Sequence, residues 1–255
     1  MIAWRSLAGL LALCACAHVT PARAADATTD VDVSRVTLKL PGDGWTVSDK
    51  LPYAAAVESS GLTVDGERRI VAVGQPGTRA SLVMMVSATR GSGGVTMHAD
   101  CDPMDDWYIR KFNRGQSTFV PLQCLKVYGP ARFPANPADF GGDLGKLLAE
   151  RKTPIPPGGY YLRVQVCNEN GAIVQIMALV GNGFAGLEGR AAAVPAPKDM
   201  RQPVVAWADL LAENALGTLS SLSARLEVPP VAFTNQVVAT AAAASAPAVP
   251  PATKD

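Results

Sequence analysis

The chain has 255 residues, of which 23 are Lys or Arg and 22 are Asp or Glu, so its formal net charge is +1 at pH 7. A balance this close to zero excludes the long-range attraction by which nucleic acid and anionic membrane surfaces capture basic proteins. With 48% hydrophobic and 18% charged residues the composition is that of a globular protein, and the length suits one domain once a leader is removed.

The N-terminus carries Arg5, an apolar stretch from Leu7 to Ala17, and Ala22-Arg23-Ala24. Basic, apolar and A-x-A segments in that order form a secretory signal, with cleavage expected after Ala24. The apolar stretch is shorter than the roughly 20 residues a bilayer span needs. A rival route runs through Leu13-Cys14-Ala15-Cys16, which resembles a bacterial lipobox. There Cys16 would carry lipid and anchor the protein to a membrane, the alternative to a soluble, exported and periplasmic product. Residues 25–30 are polar and are read as unstructured, residues 31–230 as a single domain, and residues 231–255 as a disordered Ala/Pro-rich tail.

Val36-Thr37-Leu38-Lys39-Leu40 alternates as a half-buried strand does, and Pro41-Gly42-Asp43-Gly44 turns the chain before Trp45. Residues 69–74 and 81–88 are β-rich runs that predict a hairpin. Residues 161–167 and 172–180 flank Asn168-Glu169-Asn170-Gly171 and predict a second one. On its first strand Leu162, Val164 and Val166 share a face toward a core, and Arg163 and Gln165 share a wetter face. Asp102-Pro103 opens a predicted helix to about Asn113, with Asp105 and Asp106 at its positive end. Asn136-Pro137 opens another that carries Leu144, Leu147 and Leu148. From Pro203 to Arg225, the stripe Val204, Ala208, Leu211, Ala215, Leu219 and Leu222 predicts a long helix, which Leu226 extends. Pro229-Pro230 ends the domain. Hairpins rather than strands in regular alternation with helices give an α+β class: an antiparallel sheet with helices packed on one face and a long C-terminal helix.

Five cysteines occur. Cys14 and Cys16 fall in the leader, leaving Cys101, Cys124 and Cys167. One bond among three thiols allows three connectivities, and an oxidising compartment favours forming one. The favoured pair is Cys101 with Cys124, which flank the predicted helix and its return strand. Closing that loop stabilises by about 3 kcal/mol on the chain-entropy account.

Each candidate for chemistry has an ordinary explanation beside it. His98, Asp100 and Asp102 carry metal-ligating groups, but their spacing is not that of a calcium loop and no second histidine exists in the mature chain. Helix capping accounts for the acids, so no metal is assigned. Gly181-Asn182-Gly183-Phe184-Ala185-Gly186 matches G-x-G-x-x-G yet follows the second arm of a hairpin, where no parallel βαβ unit can aim a helix at a pyrophosphate. It is read as a flexible glycine loop, and no cofactor is assigned. No G-x-S-x-G elbow is present. Asp105, Asp106 and Glu150 are available as paired carboxylates, which supports a hydrolase only as an alternative. Trp107, beside Tyr108 and Phe112 on the first helix, is the candidate anchor for a partner.

Residues Leu38 to Trp45 and the helix from Pro203 resemble the Mog1/PsbP-like α/β sandwich family, whose members are mostly accessory and binding proteins. The resemblance implies an accessory role. The expected function is therefore a non-enzymatic binding or accessory module of the envelope, with an envelope protein or small ligand as partner and no nucleic acid. A lipid-anchored structural component through Cys16 is a further alternative.

Overall fold

A computed structural model describes residues 28–56, 63–74, 80–90, 101, 107–112, 123–133, 136–137, 142–168, 172–221 and 223–233. The large sheet is built from hairpins. Strand β5 (Thr63–Val73) pairs antiparallel with β6 (Leu82–Thr89), and β9 (Gly159–Cys167) with β10 (Ile173–Gly181), as the sequence predicts. β10 also pairs with β6, so the hairpins join side by side. β8 (Cys124–Tyr128) extends the sheet beyond β9, and β7 (Trp107–Lys111) closes that side as its edge strand. On the other side β3 (Thr46–Val47) and β4 (Leu51–Ala56) both pair with β5.

A small second sheet holds β1 (Thr28–Val33), β2 (Val36–Pro41) and β11 (Arg225–Glu227), with β11 parallel to β2. Its alternation buries Val31, Val33, Val36, Leu38, Leu40 and Leu226. These join one core with the inward residues Val71, Met84, Val86, Leu162, Val164, Ile176 and Val180 of the large sheet. Helix α2 (Gln202–Ser220) completes the layer, burying Val204, Ala208, Leu211, Ala215 and Leu219. Each such aliphatic side chain contributes about 1.5–3 kcal/mol when fully removed from water.

The helices do not share one face. Helix α1 (Gly142–Glu150) places Leu144 and Leu148 against Ile70, Ala72, Val83, Met85 and Leu179, the opposite set of alternating side chains. All eight residues of β6 are buried, so its two faces each require a cover, and one helix serves each.

Four boundaries differ from expectation. Residues 107–111 are strand, where the Asp102-Pro103 start predicts helix to Asn113. Tyr108 and Phe112, four apart, share a face in either conformation, and Trp-Tyr-Ile-Arg-Lys is rich in β-formers that pair along β8. Helix α2 ends at Ser220 rather than Arg225, because Ser220, Ser221 and Ser223 bond locally and Ala224 turns at φ +46 into β11. Thr28 to Asp30, within the segment read as unstructured, form half of β1 through ladder bonds to residues 39–41, although their side chains are exposed. The chain also stays attached past Pro229-Pro230. The Ala185 amide donates to Ala232 O at 2.9 Å, and Phe233 bridges Phe184.

Candidate functional site

Three features converge on β7: a buried polar network on its inward face, an aromatic row on its outward face, and the edge between them. On the inward side the Tyr108 hydroxyl donates to Asp209 Oδ2 at 2.7 Å, and the Ala193 amide donates to the same oxygen at 2.7 Å. The Val194 amide in turn donates to the Tyr108 oxygen at 3.3 Å. Arg110 reaches Glu213 Oε1 at 2.8 Å and stands 3.5 Å from Asp209 Oδ1. Glu213 Oε2 accepts from Arg190 at 2.9 Å. Asp209 is only 1% exposed, so these donors compensate a carboxylate withdrawn from water.

Burial, then the Asp209 carboxylate beside it, raises the Tyr108 phenol well above its ordinary range, so it remains a hydrogen-bond donor. Burial also opposes the charge on Arg110. The hydrogen bond it donates to Glu213 and the charges of Asp209 and Glu213 outweigh it, and the guanidinium is held more strongly basic than usual. The arrangement fixes β7 and the 182–201 loop to α2.

On the outward side Trp107 packs on Tyr128 with ring centroids 4.1 Å apart, and Tyr128 stacks on Tyr161 at 5.1 Å. The three occupy one row, since Trp107 pairs with Tyr128 and Tyr128 with Tyr161. Burial pushes the Tyr161 phenol up to about 12; Arg163 opposes the rise and Tyr128 adds to it. Lys126, one row further, holds its ammonium 5.5 Å from the Trp107 ring. Trp107 is thus a half-buried strand residue, not a helical one, and shares its face with Tyr128. The same face continues with polar but buried side chains, Lys126, Gln165 and Gln175.

Cys101 and Cys124 form a disulfide across 23 residues. It ties the chain ahead of β7 to the first residue of β8, closing the loop that contains the edge strand. A disulfide is retained where thiols are not kept reduced. Cys167 is a buried thiol on β9 whose carbonyl accepts from the Gln123 side chain.

His98, Asp100, Asp102, Asp105, Asp106 and Cys16 lie outside the described residues, as do residues 1–24 and the tail from 234. Among the described residues no group of three or more His, Cys, Asp or Glu is placed to hold a metal. No described helix is long and apolar enough to cross a membrane. Glu150 is exposed on α1, beside an open depression of about 220 Å³ lined by Leu51, Pro52, Arg68, Lys146 and Leu147. The glycine loop after β10 begins with a turn in which the Phe184 amide donates to Gly181 O at 2.9 Å. Gly186 has φ +76, and a Cβ there would meet Pro203 O at 2.3 Å, so only glycine fits where the Leu187 amide donates to Pro203 O.

Asp209, Glu213, Arg110 and Lys126 were not among the sequence candidates. Asp209 gives one signal, an acid set between apolar positions 208 and 211 of a buried helix, which implies a partner without naming it. No protein-family model, curated protein or solved structure matches the chain.

Proposed function

We propose that this protein is an exported, non-enzymatic binding or accessory module of the bacterial envelope, which recognises a protein partner along the β7 edge. The observation that carries the reading is the position of β7: an edge strand, paired among the described residues with β8 alone and held from behind by the Tyr108–Asp209–Arg110 network. A rigid edge with unpaired backbone groups is a template for an added strand, and fixing it beforehand removes an ordering cost from binding. The disulfide that closes the loop around β7 supports export. The signal at residues 1–24 supports a periplasmic product starting at Ala25, and a Mog1/PsbP-like sandwich is the family we propose for it.

Affinity purification of the tagged full-length protein from its native envelope, with mass spectrometry of what co-purifies, tests this. A stoichiometric envelope protein that is lost with Ile109→Pro is the expected result. A monomer without a partner, or a partner indifferent to that substitution, overturns edge recognition.

A further inference from the structure

We infer that the β7 edge accepts an extended acidic segment of a partner protein as an added strand, with acidic and apolar residues alternating along it. This rests on the edge-recognition reading above and specifies the chemistry of the partner. The Phe112 amide donates to Gln123 O at 2.8 Å, which makes 112 and 123 a hydrogen-bonded pair. Such pairs recur every second residue in an antiparallel ladder, so Arg110 and Tyr108 also turn their backbone groups toward β8. The N–H and C=O of Ile109 and Lys111 therefore point away from β8, and among the described residues no hydrogen bond engages them.

Charge then separates the two sides of this edge. On the inward side Arg110 is already neutralised by Glu213 and Asp209. There Val194, 39% exposed, is held by its amide at the Tyr108 hydroxyl and offers an apolar contact. On the outward side no carboxylate among the described residues reaches Lys111 or Arg163. The outward positions of β7, β8 and β9 carry no Asp or Glu. An added strand places alternate side chains on the two sides, so acids face Lys111 while apolar residues face Val194. A second copy of this chain does not suit the edge. Pairing β7 with β7 in the register centred on Lys111 would set the two ammonium groups opposite each other, the like-charge juxtaposition by which edge lysines commonly oppose self-association.

The test is a random-peptide display selection on the full-length protein, followed by binding isotherms of the most enriched peptide. Wild type is compared with Ile109→Pro, which removes only an N–H that β8 does not use, and with Lys111→Glu. The expected result is enrichment of Asp or Glu at alternate positions and affinity at least tenfold weaker in each variant, with circular dichroism and Tm unchanged. Enrichment without acids, in peptides that still lose affinity in Ile109→Pro, overturns the acidic chemistry and leaves edge recognition standing. Peptides indifferent to Ile109→Pro overturn both, and no enrichment overturns the strand-addition proposal. Should Ile109→Pro not fold, an enriched peptide N-methylated at alternate amides replaces it. Unchanged affinity in both methylation registers then counts against strand addition.

Discussion

The Tyr108 hydroxyl and the Asp209 carboxylate meet at 2.7 Å across 101 residues of sequence, joining the edge strand of the large sheet to the middle of α2. Because Asp209 is almost fully buried, this contact bears on stability more than a surface pair does.

Tyr108→Phe removes a donor to a buried carboxylate and an acceptor for the Val194 amide. We expect a loss of about 1.5–3 kcal/mol, and about 2–5 kcal/mol for Asp209→Ala, which leaves the Tyr108 hydroxyl and the Ala193 amide without their shared acceptor while Arg110 keeps Glu213. Arg190→Ala, at the exposed end of the network, should change stability by no more than about 0.5 kcal/mol. Urea unfolding of the three variants checks this order; equal effects would show that the network is not graded by burial.

Cys101 and Cys124 close a loop around a strand that has one strand neighbour among the described residues. The Cys101→Ser/Cys124→Ser double variant should lose about 3 kcal/mol. Under reducing conditions the wild type should fall to the stability of that variant, while the variant itself does not respond. A variant as stable as the wild type would remove the disulfide from the account of β7.

Two glycines should respond in opposite directions. Gly186→Ala forces a Cβ to within 2.3 Å of Pro203 O at a positive φ, and should cost more than about 2 kcal/mol. Gly217 lies within α2 with no atom within 4 Å of an added Cβ, so Gly217→Ala should stabilise by about 0.5–1 kcal/mol. Thermal melts of the pair decide the matter through their signs.

Tyr161 and Tyr108 hold their protons more tightly in the folded protein than tyrosine does unfolded. A raised phenol pKa contributes stability that is complete below about pH 10 and is lost as pH climbs toward the folded value, about 12 for Tyr161. The rise in absorbance at 295 nm from Tyr108 and Tyr161 should therefore come above the ordinary tyrosine range, together with alkaline unfolding. In Tyr161→Phe the decline of stability above pH 10 should be less steep. A single ordinary titration of all five tyrosines would contradict the packing of these two rings.

The β9–β10 hairpin and the body of α2 were legible because their signals are local: alternation on each side of an Asn-Gly turn, and an apolar stripe at steps of three and four. The strand at residues 107–111 was not. Asp102-Pro103 is a helix start on local grounds, and the spacing of Tyr108 and Phe112 satisfies helix and strand alike. The register along β8, set by residues 124–128, decides between them.

From residues alone the protein's character as an α+β domain and its three candidate cysteines follow, since composition, periodicity and turn chemistry act over a few residues. The Cys101–Cys124 pairing was favoured from the residues and is the one formed, while the helices on opposite faces and the meeting of Tyr108 with Asp209 required the tertiary structure. Each is a contact between segments distant in sequence, and such contacts form only where burial of both sheet faces outweighs the entropy of bringing those segments together.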